Sequence, residues 1–240
     1  METPATASAW RPLYVLGAVI ALVTLTGTIV DIALTMVPGF DPSTVPADAA
    51  GWLAQLAASP LVGLRNLDLL NVALSAVGLP LYGALAAALR RTQPGLALAG
   101  LAFALVGTAV FAASNAALPM LELARQHAGA PAADRLVLET AATALLARGA
   151  HGSFGAFGGF FLSEIGTLLI SVAMLRGTLF GRAPGLIGVV GATVLGFYTV
   201  AITFAPGSDA LMKGVAAPAG LLMLAWYVLV ARGLVRLPAE

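Results

Sequence analysis

The chain has 240 residues, of which 60% are apolar and 10% are charged, and its formal net charge is +1. Soluble domains carry about 25% charged residues, so this composition excludes an ordinary soluble protein and indicates an integral membrane protein. The near-neutral charge, with no basic patch and no nucleic-acid motif, argues against a nucleic-acid partner. The absence of cysteine excludes disulfides, thiolate metal sites, iron–sulfur clusters and a cysteine nucleophile, and no motif calls for a cofactor.

Long apolar runs predict six transmembrane helices, because about 20 apolar residues suffice to cross the hydrocarbon core of a bilayer. The predicted spans cover residues 13–37, 64–89, 95–118, 153–175, 184–205 and 211–232. The first run contains Asp31 and is longer than the roughly 7–15 apolar residues of a signal peptide, so we interpret it as a span. The predicted fold class is therefore all-α: a polytopic helix bundle in the lipid bilayer, forming one domain over residues 1–240.

The two longest connections between spans predict short amphipathic helices. In the first, Asp48 can cap a helix from about Ala49 to Ser59, which Pro60 would end. In the second, we predict a helix from about Pro131 to Arg148, with the proline in its first turn. Both helices have an apolar side, so we expect them to lie on the membrane surface or to cap the bundle.

The distribution of basic residues predicts the orientation of the chain. One side of the predicted membrane carries Arg11, Arg90, Arg91, Arg176, Arg182, Arg232 and Arg236. The other side carries five basic residues, and acidic residues of the same connections dilute them, so the positive-inside rule places both termini in the cytoplasm. Arginine supplies eleven of the twelve basic residues, which is typical of a GC-rich bacterial genome. We therefore expect a bacterial inner-membrane protein with its amphipathic helices on the outer face. The sequence is also compatible with a homo-oligomer.

The second predicted span carries a polar stripe. With about 100° of rotation per residue, Asp68, Asn71, Ser75 and Tyr82 fall within a sector roughly 60° wide, and Arg65 lies about 60° beyond its edge. A charged side chain in lipid costs about 2.5–3.5 kcal/mol even on insertion scales. The stripe must therefore face protein or water, and we expect the other helices to pack around it.

Polar residues of other spans lie at similar predicted depths. Asp31 lies in the outer half of the first span, Asn115 lies near the outer end of the third, and Glu164 lies near the middle of the fourth. We predict that these groups meet in one polar pocket that opens to the outside and binds or conducts a small polar ligand or ion. The predicted pocket residues are Asp31, Arg65, Asp68, Asn71, Asn115 and Glu164.

The same residues also allow purely structural interpretations, in which the protein is a structural or accessory membrane protein. Arg65 and Asp68 are three residues apart and could neutralise each other. Asp31 could pair with Arg65 or with Lys213. Glu164 could be neutral and hydrogen-bonded to a neighbouring helix, because a neutral carboxyl is far less costly than a charged one in a membrane.

An intramembrane enzyme is the alternative from another functional class. Asp31, Asp68, Glu164 and His151 could form a mixed-ligand metal site if they lie near one point, although no spacing requires it. The sequence contains neither H-E-x-x-H nor a G-x-S-x-G elbow, so we assign no catalytic and no metal-binding residue. Glycines along the fourth span, including Gly159 and Gly166, predict a packing face and not a phosphate loop.

Three short motifs carry a family resemblance. They are Asp68-Leu69-Leu70, the Arg182–Gly188 start of the fifth span, and the Trp226–Gly233 end of the sixth. With these features the chain resembles a bacterial family of multi-span membrane proteins known only as a domain of unknown function. The resemblance implies a similar helical bundle, and it transfers no catalytic residue.

Overall fold

The computed structural model describes residues 9–37, 40, 45–205 and 209–237, except for the side chains of residues 209–213 and 216. Helix-forming apolar segments dominate the described residues. In these ranges the chain forms helices and no strand. The helices are α1 (Arg11–Leu34), α2 (Ala49–Ala58), α3 (Pro60–Asn66), α4 (Leu69–Leu89), α5 (Pro94–Ser114), α6 (Ala117–Gly129), α7 (Ala132–Gly149), α8 (Phe154–Arg176), α9 (Arg182–Phe204) and α10 (Asp209–Arg236). The predicted all-α fold class is confirmed.

Six helices form the membrane bundle. The described residues contain six segments long and apolar enough to cross a membrane, and α1, α4, α5, α8, α9 and α10 supply them. These helices form a closed ring in the order α1, α4, α5, α8, α9 and α10. Each helix contacts the next one in this order, and α10 contacts α1. Helix α4 also contacts α8 and α10, so it lies closest to the centre. Large apolar side chains such as Leu22, Val106 and Leu186 remain about half exposed, as expected for a surface that faces lipid.

The polar stripe of the second span is interrupted, and the prediction of a continuous helix from Leu64 was wrong. Helix α3 ends at Asn66, and Asp68 adopts a left-handed conformation with φ 61° before α4 begins at Leu69. Aspartate tolerates this conformation better than most residues. Because the apolar pattern continues across the break, a helical wheel does not detect it. Arg65 therefore belongs to a different helix from the rest of the stripe.

A second interruption separates α5 from α6. The prediction extended the third span to Leu118, but α5 ends at Ser114 and Asn115 is extended, with ψ 131°. The side-chain oxygen of Asn115 accepts a hydrogen bond from the Ala117 N–H at 3.0 Å and so caps the new helix. Pro119 lies in the first turn of α6, where a proline begins a helix without losing a hydrogen bond. Helix α6 was not predicted from the sequence.

Helices α2, α3, α6 and α7, here called the cap, pack together at one end of the bundle. Trp52, Leu53 and Leu56 of α2 and Met120 of α6 belong to a buried apolar cluster distinct from the core of the membrane bundle. The predicted helices at Ala49–Ser59 and Pro131–Arg148 are both present, each within one residue of its predicted ends. The Asp48 carboxylate caps α2 as predicted, accepting from the Gly51 N–H at 2.8 Å. The cap covers the end at which α1 finishes and α4 begins.

Candidate functional site

A cavity of about 710 Å³, here called the vestibule, opens between the cap and the membrane bundle. The end of α1, the residues at the α3–α4 junction, the α7–α8 connection and α9 all contribute to its wall. Its polar lining includes Asp31, Arg65, Asp68, Asn71, His151 and Tyr198. Four of the six predicted pocket residues therefore meet in one cavity.

Arg65 is held on several sides within the vestibule wall. Its Nε donates to Asp31 Oδ1 at 3.1 Å, its Nη2 donates to the Asp31 carbonyl at 3.2 Å, and its Nη1 donates to the Phe40 carbonyl at 3.0 Å. The two charged side chains are only 16% and 21% exposed. Of the pairings considered for Asp31, the one with Arg65 is present, while the side chain of Lys213 lies outside the described residues. The pair fixes α3 against the end of α1.

Asp68 joins two other parts of the vestibule. Its Oδ2 lies 3.0 Å from His151 Nδ1, and its Oδ1 accepts a hydrogen bond from the Asn71 amide at 3.0 Å. The Asp68 side chain is 11% exposed, whereas that of His151 is 49% exposed. The ion-pair partner that the structure gives Asp68 is therefore His151, and not Arg65 as one interpretation proposed. A left-handed aspartate held by two side chains at the mouth of a cavity is the kind of backbone strain that clusters at functional sites.

A second cavity of about 320 Å³, here called the inner chamber, lies inside the ring of membrane helices. All six membrane helices line it, and Asn71 lines both this chamber and the vestibule, so the two cavities adjoin. Its polar lining consists of Thr24, Thr28, Asn71, Ser75, Tyr82, Thr108, Ser163, Glu164, Thr167 and Tyr227. Glu164 lies ten residues after the first residue of α8, which places it about 15 Å along that helix from the capped end.

Four of the chamber hydroxyls bond to their own helices. Thr28, Ser75, Ser163 and Thr167 each donate to the carbonyl four residues earlier, at 2.8–3.1 Å. The Tyr82 and Thr167 hydroxyls also share a short hydrogen bond with each other, so one of their hydrogens is used between them. These side chains therefore present mainly oxygen lone pairs to the chamber.

Two buried oxygens in the chamber wall have unused hydrogen-bonding capacity. Thr199 of α9 donates to Glu164 Oε1 at 3.0 Å, but Glu164 Oε2 is buried without a hydrogen-bond partner in the described part of the chain. Thr24 Oγ1 is also buried without a hydrogen-bond partner in the described part of the chain, and Thr24 is only 6% exposed. Buried polar atoms are nearly always hydrogen-bonded, so these two atoms mark a position where a ligand can add a bond.

A family model described as "Domain of unknown function (DUF4386)" matches residues 13–233, a range that reaches from the start of α1 almost to the end of α10. The chain belongs to the DUF4386 family. This confirms the resemblance to a family of unknown function. Comparisons with curated proteins and with solved structures give no significant match. Membership of the DUF4386 family thus assigns no substrate or reaction, and the site must be interpreted from its own geometry.

The predicted pocket residues of this DUF4386 protein fall into four groups. Asp31, Arg65 and Asp68 line the vestibule, Glu164 lines the inner chamber, and Asn71 lines both. Asn115 lines neither cavity: its amide donates to the Leu67 carbonyl at 2.7 Å, so it joins the end of α5 to the α3–α4 junction. The helix break at Asn115, which the sequence analysis missed, accounts for this structural position.

The acidic residues and His151 do not assemble into one centre in this DUF4386 protein. The described residues contain no group of three or more His, Cys, Asp or Glu side chains that could hold a metal ion. Glu164 lines the inner chamber, whereas Asp31, Asp68 and His151 line the vestibule. The mixed-ligand metal site considered from the sequence is therefore not formed.

Several chamber residues were not among the predicted pocket residues. Thr24 and Thr28 of α1 and Ser163 and Thr167 of α8 all line the inner chamber. The signal that could have identified them is the spacing of four between hydroxyl residues, which places each pair on one helix face. Tyr198, by contrast, gives no such signal, because its place in the vestibule depends on how α9 packs.

Proposed function

We propose that this protein binds a small polar ligand in the inner chamber, and that the ligand reaches the chamber through the vestibule. The observation that carries the proposal is the pair of adjoining polar cavities, with a mid-membrane glutamate whose Oε2 has no hydrogen-bond partner among the described residues. Ionisable side chains inside membrane helices are costly and usually mark ligand or ion pathways. A volume of about 320 Å³ also falls within the range of small-molecule sites.

The arrangement favours binding over a purely structural role. Membrane helices associate through close van der Waals packing and hydrogen bonds between helices, and the open space of the inner chamber supplies neither. The polar face instead continues along α4 through Asn71, Ser75 and Tyr82, from the vestibule into the bundle. This continuity provides a polar path for a ligand, and it supports either a receptor that retains the ligand or a carrier that moves it.

A ligand screen with a chamber-filling variant tests this function. A ligand present at 100 times its Kd stabilises a protein by about 2.7 kcal/mol, which corresponds to a rise in Tm of about 5–11 °C for a chain of this length. Gly220 lines the chamber, and a Cβ there meets no atom within 4 Å, so Gly220→Leu should fill the chamber without a clash at the Cβ. Gly83→Leu is the matched control, because its Cβ also meets nothing and it lies outside the chamber lining.

The two variants give opposite expectations. Ligands that stabilise the wild type should stabilise Gly83→Leu equally and should lose their effect on Gly220→Leu. Ligand-induced shifts that persist in Gly220→Leu would show binding elsewhere and contradict the proposal.

A second candidate function is an intramembrane enzyme that acts at the vestibule. The observation in its favour is the Asp68–His151 pair at 3.0 Å, because a carboxylate bonded to Nδ1 orients the imidazole of many general bases. On this proposal, a bound ligand would be chemically converted, and both Asp68→Asn and His151→Ala would abolish the conversion while leaving binding in the chamber intact. Recovery of an unchanged ligand after prolonged incubation would favour binding or transport.

We also propose that both termini lie in the cytoplasm of a bacterium and that the cap lies on the outer face of the inner membrane. The support is the excess of arginine at the uncapped end. The chain has no cysteine, so a single introduced cysteine gives an unambiguous labelling site. In intact cells, a membrane-impermeant maleimide should label Leu136→Cys on α7 and should not label Gly95→Cys at the opposite end. The reverse labelling pattern would invert the orientation.

A further inference from the structure

We propose that the inner chamber is specific for a small organic monocation with N–H donors, such as a protonated alkylamine, whose charge pairs with Glu164. This inference rests on the proposed binding function and adds the chemical class of the ligand. It follows from three properties of the chamber wall: the direction of its hydrogen bonds, its charge and its size.

The hydrogen bonds make the chamber wall rich in acceptors. Four hydroxyl side chains of the lining give their hydrogens to backbone carbonyls, and the Tyr82 and Thr167 hydroxyls bond to each other. Glu164 Oε2 and Thr24 Oγ1 add two oxygens that are unpartnered in the described part of the chain, and Glu164 Oε2 is an acceptor when the carboxyl is ionised. A wall of oxygen lone pairs complements a ligand that mainly donates hydrogen bonds, and an ammonium group donates without accepting.

The charge of the wall has one sign. Glu164 is the only carboxyl among the described lining residues, and those residues include no lysine, arginine or histidine. A buried carboxylate without a counter-charge is strongly unfavourable, whereas a hydrogen-bonded cation offsets much of that penalty. An anionic ligand would find no positive side chain in this lining.

The size and the apolar part of the wall favour an organic cation over a bare metal ion. A chamber of about 320 Å³ is many times larger than an alkali ion, since even one water molecule occupies about 30 Å³ of liquid. The chamber wall also has an apolar portion that could contact an alkyl group. It includes Leu74, Leu81, Phe160, Leu195, Met223 and Leu224. A short alkylammonium ion would use both parts of the wall.

Matched probes of similar shape and different charge test the inference. Purified protein in detergent is titrated with butylammonium chloride, 1-butanol, sodium butyrate, sodium chloride and potassium chloride, and binding is followed by calorimetry. We expect saturable binding of butylammonium that is absent with butanol and butyrate. Glu164→Gln keeps the side-chain shape and removes the charge, so it should weaken butylammonium binding on the order of 10- to 100-fold, the usual range for a charge-assisted hydrogen bond.

Two further variants keep the test decisive if Glu164→Gln does not fold. Glu164→Asp retains the charge on a shorter side chain, so it should bind butylammonium more weakly than the wild type and should still not bind 1-butanol or butyrate. Gly220→Leu leaves Glu164 unchanged and should block butylammonium by filling the chamber, while Gly83→Leu should bind normally.

The outcomes separate this inference from the function on which it rests. Binding of butanol or butyrate that depends on Gly220 but not on Glu164 would support a polar-ligand chamber and overturn its preference for cations. Saturable binding of sodium or potassium alone, lost in Glu164→Gln, would overturn the organic ligand in favour of a metal ion. If no probe and no compound from the ligand screen binds in a manner that Gly220→Leu prevents, both the inference and the proposed function are wrong.

Discussion

The contact between α5 and α8 gives a sharp prediction, because two glycines let the helix backbones approach closely there. A Cβ at Gly166 of α8 would lie 2.8 Å from the Gly100 carbonyl oxygen and 2.9 Å from the Ala104 nitrogen of α5. Both neighbours are backbone atoms, which cannot rotate away as a side chain can. Gly166→Ala should therefore force the two helices apart.

The expected size of this effect follows from two opposing terms. Alanine favours a helix over glycine by about 1 kcal/mol, whereas overpacking a well-packed interior costs about 1–3 kcal/mol and sometimes more. Since backbone atoms oppose the new methyl group, we expect the packing penalty to dominate and the net loss to reach about 1–2 kcal/mol. At about 2–4 °C per kcal/mol for a chain of this length, Tm should fall by about 2–8 °C.

Gly83→Ala is the internal control for this prediction. A Cβ at Gly83 meets no atom within 4 Å, so only the helix-forming advantage of alanine remains. Thermal unfolding in the same detergent should show a small rise in Tm for Gly83→Ala and a fall for Gly166→Ala. If both variants rise together, α5 and α8 do not approach each other as closely as the structure shows, and the close-packing explanation is wrong.

Three further predictions concern polar contacts, each measured by thermal unfolding. Arg65→Ala should lower the free energy of unfolding by about 3 kcal/mol, because it leaves the partly buried Asp31 without its counter-charge. In a double-mutant cycle, adding Asp31→Ala should recover part of that loss. Asp68→Ala should cost about 1–3 kcal/mol through the strained backbone and the lost side-chain bonds, and Asp68→Asn should cost less because asparagine tolerates φ 61°. Glu164→Gln should change stability by less than about 0.5 kcal/mol if Glu164 is neutral without ligand, because the amide oxygen can still accept from Thr199; a large loss of stability would indicate a charged carboxylate.

The membrane-spanning part of the fold could be predicted because each span is a local property of the sequence. The predicted and observed ends of α8 differ by one residue, and the ends of α9 differ by no more than two, since apolar composition and flanking arginines define them locally. The predicted ends failed at Asp68 and Asn115. There the helix is interrupted by a polar residue whose side chain is satisfied by distant partners, His151 in one case and Leu67 in the other.

The candidate site was predictable only to the extent that one helix determines it. Asn71, Ser75 and Tyr82 share a face of α4, and the requirement that this face avoid lipid predicts a polar interior. Which side chains complete that interior depends on the order of helices in the ring, and no local pattern encodes that order. The single pocket predicted from the sequence is therefore two adjoining cavities, with the charged pairs in one and the unpaired Glu164 in the other.

The division of polar groups between these cavities has a physical basis. At the capped end the ionisable side chains occur in pairs, Asp31 with Arg65 and Asp68 with His151, and these pairs link separate elements of the chain. Deeper in the bundle four hydroxyls bond to their own helices, which makes them inexpensive to bury. Two oxygens of the chamber wall differ: Thr24 Oγ1 has no partner in the described part of the chain, and the contact of Glu164 with Thr199 uses only one carboxyl oxygen. Incomplete bonding of an ionisable residue inside a cavity is better explained by a ligand than by packing, and Glu164 is therefore where ligand binding should be tested first.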